Sequence, residues 1–158
     1  MKQLAPTDLA FFDTAPMQVR VSGTVAAPPA AVFAAFADAG GWPRWFPMMH
    51  RAAWTRGDGG VGAERTVALR LLGRFEERII AWTPGVRFAF TMIGSTSPFA
   101  AQMAEDYQLA EVAGGTRIDW IMAARPSALG RVGGPALAAI SRRLFRGAVP
   151  RLARHLRA

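Results

Sequence analysis

Hydrophobic and polar positions change rhythm three times along the chain. Val19, Val21 and Val25 alternate with Arg20, Ser22 and Thr24, which predicts a half-buried strand. Pro28 and Pro29 then open a helix, where proline is tolerated in the first turn, and Val32, Phe33 and Phe36 give it one apolar face ending near Asp38. Gly40-Gly41 breaks it, and Trp42, Trp45 and Phe46 stand at i, i+3 and i+4 behind Pro43, the spacing of a second short helix. From 48 to 125 the rhythm is that of strands, at about 48–56, 63–71, 74–82, 86–93, 101–112 and 116–125. Turn residues separate them: Gly57-Asp58-Gly59-Gly60, Gly73, Pro84-Gly85, 94–98 and Gly114-Gly115. Short turns between successive strands imply an antiparallel meander. Gly133-Gly134-Pro135 predicts the start of a long helix. Its apolar side carries Leu137, Ile140, Leu144, Ala148, Leu152 and Leu156, and Arg142, Arg143, Arg146, Arg154 and Arg157 lie opposite. Gly147 and Pro150 predict a kink, without which Arg151 and His155 fall on the apolar side. Residues 1–16 lack periodicity and contain Pro6 and Pro16. They read as an arm, packed through Leu9, Phe11 and Phe12, ahead of a single domain over 17–158.

The joints of this pattern carry a family resemblance. The strand-to-helix passage Val25–Phe33, with Pro28-Pro29 before Val32-Phe33, resembles the opening of the START-like (SRPBCC) superfamily, in its polyketide cyclase/dehydrase and lipid-transport branch. Trp42-Pro43-Arg44-Trp45-Phe46-Pro47 is similar to the tryptophan-rich segment that follows there. Gly60–Arg65, Trp82–Arg87, Glu105-Asp106-Tyr107 and Gly114–Trp120 resemble later landmarks in the same order. The resemblance spans about 17–125, and the last helix fits by position. Ala30 departs from it, since relatives commonly place an acid there. The resemblance implies an α+β helix-grip fold: a curved seven-stranded antiparallel sheet wrapped on the long C-terminal helix, with a cavity between them for small hydrophobic ligands. Such a fold hosts carriers, sensors and enzymes alike.

Composition narrows the chemistry. The 158 residues suffice for one domain with a real core. With no Cys, disulfides, thiolate metal sites and cysteine nucleophiles are excluded, and the two histidines, His50 and His155, cannot build a multi-histidine centre. No metal and no cofactor is expected. The net charge of +8 resides entirely in residues 120–158, which hold eight arginines and no acid. A solvated helix face explains this. It allows weak contact with an anionic membrane, and no aromatic platform is interleaved with the arginines to suit nucleic acid. No segment has the length and apolarity of a membrane helix, and Asp8 and Asp13 interrupt any leader-like run. These features predict a cytoplasmic protein.

Gly57-Asp58-Gly59-Gly60-Val61-Gly62 matches G-x-G-x-x-G, but 64–71 alternates as a strand where a dinucleotide site needs a helix, so it is a hairpin turn. The paired acids say more. Neighbours in a strand face opposite ways. Glu77 shares parity with Phe75, Ile79 and Ala81, and Glu105 with Met103, Tyr107 and Leu109, so both point inward while Glu76 and Asp106 point out. By the same test Arg65 accompanies Val67, Leu69 and Leu71. Phe88, Phe90 and Met92 form a second inward set and Ile118, Trp120 and Met122 a third. Trp42, Trp45, Phe88, Phe90, Met92, Tyr107, Trp120 and Leu144 are therefore the candidate ligand contacts, with Trp54 a further stacking candidate and the Trp42–Phe46 segment closing one end. Candidates for proton transfer are Glu77, Glu105, Tyr107 and His50. An acid that meets Arg65 forms a structural ion pair and its pKa falls; one that stands beside Tyr107 has its pKa raised. The leading function is a carrier or sensor of a small aromatic or lipid-like molecule. The alternatives are a cyclase/aromatase-type enzyme and a membrane-surface or quinone-handling protein.

Overall fold

A computed structural model describes residues 1–158. The elements in chain order are β1 (Lys2–Gln3), α1 (Phe11–Thr14), β2 (Met17–Val25), α2 (Pro29–Ala37), a 3-10 turn (Ala39–Gly41), α3 (Trp42–Trp45), β3 (Met49–Arg56), β4 (Glu64–Leu69), β5 (Gly73–Thr83), β6 (Arg87–Ser95), β7 (Ala100–Val112), β8 (Gly115–Pro126) and α4 (Ala128–His155). Seven strands form one antiparallel sheet in the order β2-β8-β7-β6-β5-β4-β3, so the first long strand closes against the last. The concave face holds α4 and the α2–α3 segment. No helix is long and apolar enough to cross a membrane.

Residues 1–16 are bound to the domain rather than detached from it. β6 and β7 pair only from Arg87↔Gln108 to Thr91↔Ala104 and then part. β1 pairs antiparallel with the end of β6 that β7 has left, Lys2 opposite Ser95. Thr7 caps the junction through bonds from its N–H and hydroxyl to the Thr91 hydroxyl, at 2.9 and 3.0 Å. Phe11, Phe12 and Ala15 are buried on the convex face against Ala81, Ala89, Ala104, Ile121 and Ala123, while Leu9 is exposed. Small convex residues let the short α1 sit close to the sheet. On the same face Arg87 donates two bonds to the buried Asp106 carboxylate, at 3.0 and 2.8 Å. Asp106 thus faces out, as parity predicts, and is still buried.

Two inward assignments are corrected by local backbone. Between Ile79↔Phe90 and Ala81↔Ala89 the register slips, leaving Ile80 as an extra residue, so Ala81 turns to the convex face. Leu71 lies beyond the end of β4 in a turn at φ 68°, a left-handed conformation, and is 97% exposed, with Leu72 turning inward in its place.

The last helix begins at Ala128, five residues before the Gly133-Gly134-Pro135 signal. Ser127 is its cap: the side chain accepts from the Gly130 N–H at 3.1 Å, and its hydroxyl donates to the Pro98 carbonyl at 2.6 Å. That capping, tied to the β6–β7 loop, fixes the start and carries the helix through Gly133-Gly134-Pro135. It continues through Gly147 and Pro150 to His155, with Arg151 exposed and His155 half-buried. Its buried stripe is Ser141, Leu144, Phe145, Ala148 and Leu152, rotated from the expected one, so Ile140 is 42% exposed. Arg142, Arg143, Arg146, Arg154 and Arg157 all face solvent. Gly23 of β2 permits the close approach of this helix, since a Cβ there would lie 2.8 Å from the Val149 methyls.

Candidate functional site

Between the first half of α4 and the concave sheet lies a cavity of about 230 Å³, small beside typical ligand sites. Eighteen of its 23 lining residues are hydrophobic. The strands contribute Val67, Phe75, Phe90, Met92, Met103 and Met122, and α4 covers them with Leu137, Ile140, Leu144 and Phe145. Trp42 and Phe46 close one end, and Leu72 and Phe99 line it from the β4–β5 and β6–β7 connections. Four side chains bring oxygen to this wall: Glu77, Glu105, Ser97 and Ser141.

The expected contacts divide into two layers. Trp42, Phe90, Met92 and Leu144 line the cavity with Glu77 and Glu105. Trp45, Phe88, Tyr107 and Trp120 do not; they are buried in a packed aromatic layer behind it. There Tyr107 and Trp120 rings lie 4.3 Å apart, and Trp120 stacks on Phe145 at 3.9 Å. Their bulk consumes the volume that strand parity alone would assign to a ligand. Trp54 is half-buried against Trp82 outside the cavity, and His50 is exposed on β3. Phe145, absent from the expected set, was signalled by the spacing Ser141, Phe145, Ala148, Leu152. Phe99, in a loop, has no periodic signal.

Arg65 reaches this layer from β4 and is 1% exposed. Its Nε donates to Glu77 Oε2 at 2.5 Å across the β4–β5 pair. The guanidinium lies over Trp42, Phe90 and Phe88, 4.2, 4.8 and 5.2 Å from the ring centroids. Its two terminal nitrogens have no hydrogen-bond partner, so the rings' faces take the place of acceptors. The ion pair is the one sequence parity predicts; its effect on Glu77 is the opposite. Burial pushes the Glu77 carboxyl up, and the attraction and hydrogen bond of Arg65 only partly offset it.

Glu105 has no such cation. Tyr107 donates to its Oε2 at 2.7 Å and the Trp120 indole N–H to the same oxygen at 3.3 Å. Burial raises its pKa from the ordinary 4.5 to about 7, with the nearby Glu77 charge adding to the rise and the two donors and the more distant Arg65 charge opposing it. Burial likewise pushes the Tyr107 phenol well above its usual range. The site therefore holds one acid locked to a cation and one acid poised to gain or lose a proton near neutrality, inside an apolar wall.

Comparisons with known proteins agree with this architecture. A family model described as polyketide cyclase / dehydrase and lipid transport matches residues 16–157. An uncharacterized protein of Mycobacterium tuberculosis (strain ATCC 25618 / H37Rv) is 33% identical over 154 residues, covering 94% of this chain and 87% of that one. Among solved structures, the Zhui aromatase/cyclase from Streptomyces sp. R1128 is similar with a TM-score of 0.73 at 18% identity, covering 89% of this chain and 93% of that one. A protein from Thermus thermophilus gives a TM-score of 0.75 at 14% identity, covering 89% of this chain and 97% of that one. These structural likenesses share the fold.

Proposed function

The chain belongs to the SRPBCC (START-like) polyketide cyclase/dehydrase and lipid-transport family, and from that premise we propose that it is a cytoplasmic carrier or sensor that binds one small, largely apolar molecule between its sheet and α4. The observation that supports this is the cavity itself, a space with 18 hydrophobic lining residues left open inside an otherwise packed aromatic core. Packing to native density would have filled it had stability alone shaped the interior. Titration with a hydrophobic fluorophore tests the reading. Saturable binding is expected for the native protein and its loss on filling the cavity with Leu144→Trp, with the far-ultraviolet dichroism unchanged. No binding to the native protein, or binding indifferent to the filled cavity, would refute it.

A second reading is favoured by one specific observation. A carboxyl with a pKa of about 7, held by Tyr107 and facing the cavity, suits proton transfer at a carbon next to a ketone. In this cyclase-type role the ionised Glu105 takes the α-proton of a bound ketone, leaving an enolate, and returns a proton to carbon or oxygen. Deuterium exchange into an aromatic β-diketone, followed by NMR, tests it. Exchange should be accelerated by the native protein and not by Glu105→Gln.

A further inference from the structure

Glu77 and Glu105 differ in what they have left to offer a ligand. Glu77 is 2% exposed and already bound to Arg65. Glu105 is only half-buried, and it lines the cavity, so its remaining surface opens there. Both of its donors, Tyr107 and Trp120, converge on Oε2, and no protein group donates to Oε1. Oε1 is therefore the oxygen left to face the cavity, and a bound molecule that supplies a donor there forms a charge-assisted hydrogen bond with it.

The groups around Glu105 set the sign of what can enter. Phe90 faces it across β6 and Met122 across β8; Tyr107 and Trp120 are its donors. Glu77 of β5 adds negative charge, partly offset by the positive charge of its partner Arg65. Arg65 of β4 stands behind the rings of Trp42, Phe88 and Phe90 and does not reach the lining. The side of α4 that covers the cavity carries no titratable group, only Ser141 among apolar residues. An anionic ligand group would therefore meet two acids and no cation at the wall.

We propose that Glu105 Oε1 is the acceptor of a donor subsite, which takes the neutral hydroxyl or N–H group of an otherwise apolar ligand and excludes ligands that end in a carboxylate. This rests on the cavity being the binding site. It assigns the ligand class within it: alcohols, phenols or amides rather than free fatty or aromatic acids. Ionised Glu105 is the form that accepts, so binding of the donor ligand releases a proton wherever free Glu105 is protonated.

Three matched probes test it by displacement of the bound fluorophore: 4-pentylbenzyl alcohol, its methyl ether, and 4-pentylbenzoate. At about pH 8.5, where Glu105 is ionised, the alcohol should bind about tenfold or more tighter than either of the others. Toward about pH 5.5 its advantage over the ether should shrink and the benzoate should gain, with the change centred near Glu105's own titration. Glu105→Gln should remove the pH dependence and narrow the gap between alcohol and benzoate. The native pH profile carries the test even if that variant folds poorly. Equal binding of alcohol and ether at high pH, or benzoate as tight as alcohol, overturns the proposal. So does failure of all three to displace a fluorophore that binds, which leaves the cavity reading intact. Failure of the fluorophore itself overturns that reading instead.

Discussion

Replacing Arg65 with Met keeps an unbranched apolar stem and removes the one cation of the interior. The change leaves Glu77, 2% exposed, without its partner. Breaking a buried pair from one side costs about 3–5 kcal/mol, and the lost contacts with three aromatic rings add to this while Met refills part of the space. About 4 kcal/mol at pH ~8 is the expected loss, a large share of the roughly 5–15 kcal/mol a domain possesses. In urea, with a slope of about 2 kcal/mol per molar, the midpoint falls by about 2 M. The loss depends on pH. Glu77 already has a raised pKa, and without Arg65 it rises further. An acid whose folded pKa lies above its unfolded one costs nothing while protonated in both states, and destabilises as pH climbs through the folded value. Arg65→Met should therefore recover part of its deficit as the pH is lowered from ~8 to ~5 and the Glu77 carboxyl takes up its proton. Combining it with Glu77→Leu should restore most of the stability at all pH values, since a well-packed apolar pair can replace a buried ionic one. Urea unfolding followed by circular dichroism at both pH values reads each result. A deficit below about 1 kcal/mol at pH ~8, or a double variant no better than the single one, would show that Arg65 does not hold Glu77 in the way described.

Glu105 gives the native protein its own pH dependence: the gap between 4.5 and about 7 corresponds to about 3 kcal/mol, present in full below 4.5 and lost as pH rises through 7. Glu105→Gln should flatten that slope and be the more stable protein at about pH 8, and carboxyl NMR titration of the native protein should find the midpoint. Phe12→Ala should cost about 3 kcal/mol and raise amide exchange at Leu4 and Thr7, while fluorophore binding on the opposite face of the sheet stays unchanged. Ser127→Ala should cost about 1 kcal/mol and speed exchange in the first turns of α4 only.

The strand boundaries were legible to within a residue or two because glycine turns punctuate a chain whose side chains alternate. Parity alone placed Glu77, Glu105 and Arg65 inward. It failed at Ala81, where a bulge whose extra residue is the unremarkable Ile80 reverses the face, and at Leu71, where the strand had already ended. The start of α4 was misplaced because Gly133-Gly134-Pro135 is a louder signal than Ser127, whose capping role depends on the loop at Pro98 and Phe99. The site was half visible. Sequence shows which aromatic residues point inward, but not which of them pack against one another: Trp120 and Tyr107 pack together in the core, and Trp42 and Phe90 line the cavity. The direction of the Glu77 shift was missed for a related reason, since parity says that Arg65 is near and says nothing of how completely both are removed from water.

The closure of β2 on β8 has a consequence for how the chain is made. Val19 emerges early in synthesis, yet its partner Met122 appears only after every other strand, and α4 later still. Loop closure between such distant partners is slow. Until it occurs, β2 has no strand to pair with, and the aromatic residues of α2 and α3, which pack on Phe88 and Tyr107 of β6 and β7, lack the cover of α4. The nascent chain then carries β2 as an unpaired strand, a condition in which aggregation competes with folding. Pulse-labelled translation with ribosomes stalled at successive lengths should find protease resistance arising in one step, once β8 and the buried stripe of α4 have left the exit tunnel.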